Sequence, residues 1–126
     1  MRAIEFRGQN INGHWAHGNL AIIKEKLDRA EIGTYISNSA GAPFAYQVRP
    51  ETIGQYTGLK DKNGKKIFEG DICWEEYGEC YGVVKFEDAK FLYLWENIAE
   101  NLWEVADDIE ICGNIHENLD LLEVAE

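Results

Sequence analysis

The stretch from Thr52 to Ile72, TIGQYTGLKDKNGKKIFEGDI, leaves this chain few ways to fold. At Gly54, Gly58, Gly64 and Gly70 the chain can take positive φ or a very close approach at little steric cost. Asn63-Gly64 is a strong tight-turn signal, because both residues tolerate positive φ. The stretch is expected to be a series of turns joining short strands. Its residues serve backbone geometry first and chemistry second.

The flanking sequence alternates at short range. Ile4 and Phe6 oppose Glu5 and Arg7, which predicts a first strand over Ala3 to Arg7. His14 to Ile23, Thr34 to Ile36 and Phe44 to Val48 continue a meander, separated by the turn-rich Gly8 to Gly13 and the loop Asn38 to Pro43. Lys24 to Ala30 is too short for a stable helix and fits a loop or single turn equally well. Beyond the central stretch, Lys66 to Trp74 reads as a strand interrupted at Glu69-Gly70-Asp71, and Tyr81 to Phe86 as the next. Glu87 to Lys90 suits a hairpin loop. Phe91 to Trp95 is apolar on both faces, as a well-buried strand would be. The period changes over Asn97 to Ala106, predicting a short helix, although Trp103 to Val105 also fits a strand. Ile109 to Cys112 closes the sheet, and Asn118 to Glu123 predicts a final helical turn. The expected fold is mainly β: an N-terminal β subdomain over 1–50, connecting turns over 51–65, and an SH3-like β-barrel with a C-terminal helical turn over 66–126.

Composition narrows the function classes. A chain of 126 residues, 45% hydrophobic, is long enough to bury one core and carries no apolar run of membrane-spanning length. Met1 to Glu5 is no signal peptide, so a cytoplasmic location is expected. Cys73, Cys80 and Cys112 are odd in number and lack Cys-x-x-Cys spacing, which predicts reduced thiols and neither a disulfide nor a metal. Charge is uneven. Residues 1–50 hold six Lys and Arg against four Asp and Glu, whereas residues 51–126 hold six against nineteen. A field of that sign repels phosphates and favours basic partners.

Familiar catalytic arrangements fail on spacing. Gly58 to Lys66 is the nearest approach to a phosphate loop, yet five residues separate its glycines and Lys66 stands where Ser or Thr would hold magnesium. Asp107-Asp108 and Glu75-Glu76 fall in polar turns, where solvated charge is the simpler reading. His14 and His17 have no further metal ligand close in sequence, and Ser37 and Ser39 lack a nucleophile elbow. No cofactor is expected. Lys60, Lys62, Lys65 and Lys66, with Gln55 and Tyr56 beside them, form the one basic cluster of the acidic half. They are the candidate interaction surface, where Tyr56 would stack on a base or face an acidic protein.

The central stretch also resembles the YopX family of phage and prophage proteins, through Thr52 to Gly64 and Ile67 to Ile72. Further similarity lies at Met1 to Arg7, at Gly82-Val83-Val84, and at Ile109 to Asn118. The resemblance implies a fold and a bacterial host, but no activity and no catalytic residues. The leading expectation is a non-enzymatic accessory protein that binds a phage or host protein. An acidic mimic of nucleic acid, aimed at a host defence or DNA-handling protein, is the first alternative. A small nucleic-acid-binding barrel using the four lysines is the second, although the acidic field disfavours it. Self-association is a further expectation, since strand edges and Trp residues must be covered.

Overall fold

The computed structural model describes residues 4–26, 31–37 and 45–122. The protein is mainly β, and its chain divides into two compact units, Met1–Tyr56 and Thr57–Glu126. The expected loops over Asn38 to Pro43 and at Leu27 to Ala30 lie outside the described residues, as do Ala3 and Phe44.

In the first unit, β1 (Phe6–Gln9), β2 (Trp15–Ile23), β3 (Gly33–Ser37) and β4 (Ala45–Val48) form an antiparallel meander. The long β2 divides its pairing: Trp15 to Gly18 pair with β1, and Asn19 to Ile23 pair with β3. On the other side of β1 lies the start of β5 (Gly54–Lys60), through Phe6 to Gln55 and Arg7 to Gly54. A side chain at position 8 would stand 2.8 Å from Val48 and 2.9 Å from Ile53, so glycine is what lets these apolar groups close over β1. Thr52 fixes the chain after β4. Its hydroxyl accepts from the Gln9 N–H at 2.8 Å and donates to the Arg49 carbonyl at 2.6 Å, while the Arg49 guanidinium donates to the Gln9 side-chain carbonyl.

The second unit contains the rest of β5, then β6 (Lys66–Phe68), β7 (Asp71–Glu75), β8 (Cys80–Glu87), β9 (Lys90–Trp95), β10 (Ile98–Asn101) and β11 (Ile109–Asn114). A single-turn α1 (Leu102–Val105) and a 3-10 turn, Ala106–Asp108, link the last two strands, and another 3-10 turn spans Leu119–Leu122. Five strands form one antiparallel sheet in the order β10-β9-β8-β7-β11. Its core holds Ile67, Cys73, Val84, Tyr93, Leu102 and Ile109, all fully buried. Each large aliphatic side chain there contributes about 1.5–3 kcal/mol through removal from water.

Three sequence expectations change. The segment from Gly54 to Lys60, expected as turns joining short strands, is one continuous strand, and Gly58 sits within it at φ 86°. Asn97 to Ala106 is strand before it is helix, because Ile98 to Asn101 pair with Trp95 to Leu92 before α1 begins. The SH3-like barrel expected from residue 66 is an open sheet. The free edge of β11 is occupied by a turn instead of a strand: the Lys62 N–H donates to the Ile109 carbonyl at 3.0 Å, and the Ile111 N–H to the Asp61 carboxylate at 3.0 Å.

The hairpin between β8 and β9 offers a direct test of local strain. Glu87 faces Lys90, leaving Asp88 and Ala89 as a two-residue loop with φ of 53° and 64°. Both positions require the left-handed conformation that Asn-Gly adopts with least strain. Replacing them together by Asp88→Asn and Ala89→Gly is expected to stabilise the protein by about 1 kcal/mol in urea unfolding. A lower midpoint would show that the loop is held by contacts other than its backbone.

Candidate functional site

The candidate lysines gather at the tip of the β5–β6 hairpin, and burial changes the part expected of Tyr56 beside them. Lys60, Lys65 and Lys66 are exposed, and Lys62 is drawn to Glu110, with Nζ 3.8 Å from the carboxylate. Gln55 is half-buried in β5, paired with Phe6, and Tyr56 is only 6% exposed. A ring so enclosed offers no stacking platform, which corrects the expected role of Tyr56.

The turn itself is built around Asp61. Its carboxylate accepts from the N–H groups of Asn63 and Lys65, both at 2.9 Å, and from that of Ile111. Burial works against ionisation here, but the three N–H groups and the nearby Lys65 charge outweigh it and hold the carboxyl below the usual range. Other distinctive motifs are used the same way. The Phe68 N–H donates to the Asp71 carboxylate at 2.7 Å while Gly70 turns at φ 96°, with its N–H on the Val84 carbonyl and its own carbonyl accepting from Ile115. In the closing segment the Asn114 side chain accepts from the N–H groups of His116 and Glu117, and Asn118 lies where a Cβ at Gly113 would be, 2.4 Å away. Backbone control therefore accounts for the motifs that stand out most in the sequence.

The second unit carries a different feature, a cleft of about 740 Å³. Its floor follows from strand register. Trp74 faces Tyr81 across β7 and β8, and Val83 faces Leu94 across β8 and β9, which puts Trp74, Tyr81 and Leu94 on one face of the sheet. The Trp74 and Tyr81 rings meet edge to face, with centroids 4.9 Å apart. Leu121 and Leu122, from the final 3-10 turn, line the cleft as well. Trp95 borders the cleft, but alternation turns its ring to the opposite face, against the core, where the indole N–H donates to the Glu100 carboxylate at 2.7 Å.

The same topology makes the mouth acidic. The β7–β8 and β9–β10 turns fall at one end of the sheet because the strands run up and down in sequence. They carry Glu79 and Glu96, which line the cleft together with Asp120; among the described residues no Lys or Arg lines it. Cys80 registers the resulting field. Burial first, then the carboxylates of Glu75, Glu96 and Glu100, push its thiol up, so it is a poor nucleophile at neutral pH. Cys112 is raised likewise, by burial and by Glu110. Glu79 and Glu96 hold φ of 50° and 51°, where glycine or asparagine is ordinarily preferred.

A second depression, of about 490 Å³, lies in the first unit against His14, Trp15, His17 and Tyr46, with the Arg7 guanidinium 4.9 Å from the Trp15 ring centre. Among the described residues no three His, Cys, Asp or Glu side chains are grouped to hold a metal ion, and no helix is long and apolar enough to cross a membrane. The cleft of the second unit escaped sequence reading because its acids come from three separate segments, the β7–β8 turn, the β9–β10 turn and the last 3-10 turn. The available signals were the Trp74 and Tyr81 pair, flanking one short acidic connection, and a second acid, Glu96, directly after an aromatic strand.

A family model described as YopX protein matches residues 5–123. A crystal structure of an Enterococcus faecalis protein is similar over 98% of this chain and 100% of its own, with 23% identity and a TM-score of 0.60. At that identity the likeness concerns the fold alone. No curated protein matches the chain.

Proposed function

The chain belongs to the YopX protein family, and from that premise we propose that it is a non-enzymatic accessory protein of a phage or prophage, acting by binding another protein through the acid-rimmed aromatic cleft. The observation that carries this reading is the cleft itself. Its apolar floor is set by strand register, the acidic side chains among its described lining residues give its rim one sign of charge, and its size falls within the range of pockets that bury a ligand. Aromatic side chains of this kind anchor interfaces because they remove much area from water at little entropic cost. In a reducing bacterial cytoplasm, Cys73, Cys80 and Cys112 would remain the free thiols they are here.

The test is comparative capture. Tagged wild-type protein and a Trp74→Ala variant are incubated with bacterial lysate after nuclease treatment, and retained proteins are identified by mass spectrometry. A partner held by the wild type and lost, by about tenfold or more, from a folded Trp74→Ala protein is the expected result. Equal retention by both would place the contact elsewhere and overturn the reading. The concentration of carboxylates at one end of the sheet also favours the nucleic-acid mimic. In that case the captured partner would be a DNA-handling protein, released by added DNA and by salt.

A further inference from the structure

Glu79 and Glu96 combine two properties that backbone economy alone does not reconcile. Each occupies a turn position with φ near 50°, and each places a carboxylate beside an apolar aromatic floor. Non-glycine residues held in this conformation cost stability, and such outliers gather where function retains them. Asn or Gly would serve either turn with less strain. What Asn and Gly lack is negative charge.

Resting on the binding reading above, we propose that the cleft seats a short, extended, lysine- or arginine-bearing segment of a protein partner. The aliphatic stems would lie along Trp74, Tyr81 and Leu94, with their cationic heads directed to the carboxylates of Glu79, Glu96 and Asp120. Long basic side chains suit such a surface because a methylene stem and a charged head want different surroundings, and the cleft offers both side by side. Cations also favour the faces of Trp and Tyr rings. Complementarity decides against an acidic or phosphorylated segment: among the described residues the lining contains three carboxylates and no base to balance them. A second copy of this chain is a poor occupant on the same ground, since the net charge of −11 repels its like.

The experiment uses the full chain and a displayed library of random twelve-residue peptides, followed by titration of selected synthetic peptides monitored by Trp fluorescence. Selected peptides are expected to be enriched in Lys or Arg next to aliphatic residues. The double variant Glu79→Asn and Glu96→Asn should bind them about tenfold more weakly at low salt while melting no lower than the wild type, since Asn relieves the turn strain. Replacing Lys by Gln in the peptide should cause a comparable loss. Selection of neutral or acidic peptides, unchanged binding by the double variant, or spermidine competing as well as the peptide would each overturn the proposal. These outcomes separate it from the broader reading: a lysate partner lost from Trp74→Ala but indifferent to Glu79→Asn and Glu96→Asn keeps the binding function and removes the basic segment.

Discussion

Replacing Asp61 by Asn is expected to destabilise the second unit by about 3 kcal/mol, despite the near-identical shape of the two side chains. One carboxylate oxygen of Asp61 accepts from Asn63 and Lys65 within its own turn, and the other accepts from Ile111 on β11. An amide retains a single carbonyl. If that carbonyl stays with the turn, the new NH2 group faces the Ile111 N–H, and two donors confront each other in a site only 4% exposed. Urea unfolding with Trp fluorescence measures the loss; a change below about 0.5 kcal/mol would mean that solvent or a rearranged turn satisfies the Ile111 N–H.

The same group predicts an acid limb in stability. Its folded pKa lies below that of the unfolded chain, so the stabilisation is complete above pH ~4 and is lost as pH falls through the folded value. The Asp61→Asn protein should show a shallower decline over that range than the wild type. Parallel curves would assign the acid sensitivity to other carboxylates.

Gly82→Ala is the second change of large expected effect. A Cβ on Gly82 would stand 2.4 Å from Cζ of Tyr93 and 2.8 Å from its hydroxyl oxygen. Tyr93 has no room to retreat. It is fully buried, and its hydroxyl donates to the Cys73 carbonyl at 3.0 Å. Burial pushes the phenol well above the ordinary tyrosine range, so this donor persists through any ordinary pH. The added methyl must displace either the ring or β8, at a cost of about 3 kcal/mol or more, with failure to fold as the extreme. Gly64→Ala is the control: nothing lies within 4 Å of its Cβ position, so only the strain of φ 82° remains and the loss should be about 1 kcal/mol. Similar losses at both positions would contradict the steric account.

Sequence reading succeeded where one property decided the outcome. The strands expected over His14 to Ile23, Tyr81 to Phe86 and Phe91 to Trp95 are present as β2, β8 and β9, the last of them marked by apolar residues on both faces. The resemblance carried by Thr52 to Ile72 agrees with the family match. It misled where two properties compete. Gly54 and Gly58 read as turn formers, yet Gly54 pairs with Arg7 and Gly58 keeps its positive φ inside β5, so pairing prevailed over local preference. Tyr56 looked available because polar residues and lysines flank it, but alternation along β5 turns its ring inward. The cleft was hidden for another reason. Glu79, Glu96 and Asp120 are distant in sequence, and only the up-and-down order of strands brings the first two to one end. Local pattern carries no record of which turns share an end of a sheet.

The closure of the β11 edge by Asp61 also bears on the order of events during synthesis. Donor and acceptor of that hydrogen bond are separated by 50 residues, and the Lys62 contact to Ile109 spans nearly the same interval. A nascent chain that has emerged only through β9 holds most of the sheet but not the strand that satisfies Asp61. Pairings over so long an interval form late, because the entropy of bringing the ends together must be met before any contact rewards it. Until Ile111 arrives, β7 presents an unpaired edge beside the exposed core residues Ile67 and Cys73. The second unit thus secures its sheet by a latch delivered late, and that interval is when a growing chain is most open to premature pairing with its neighbours.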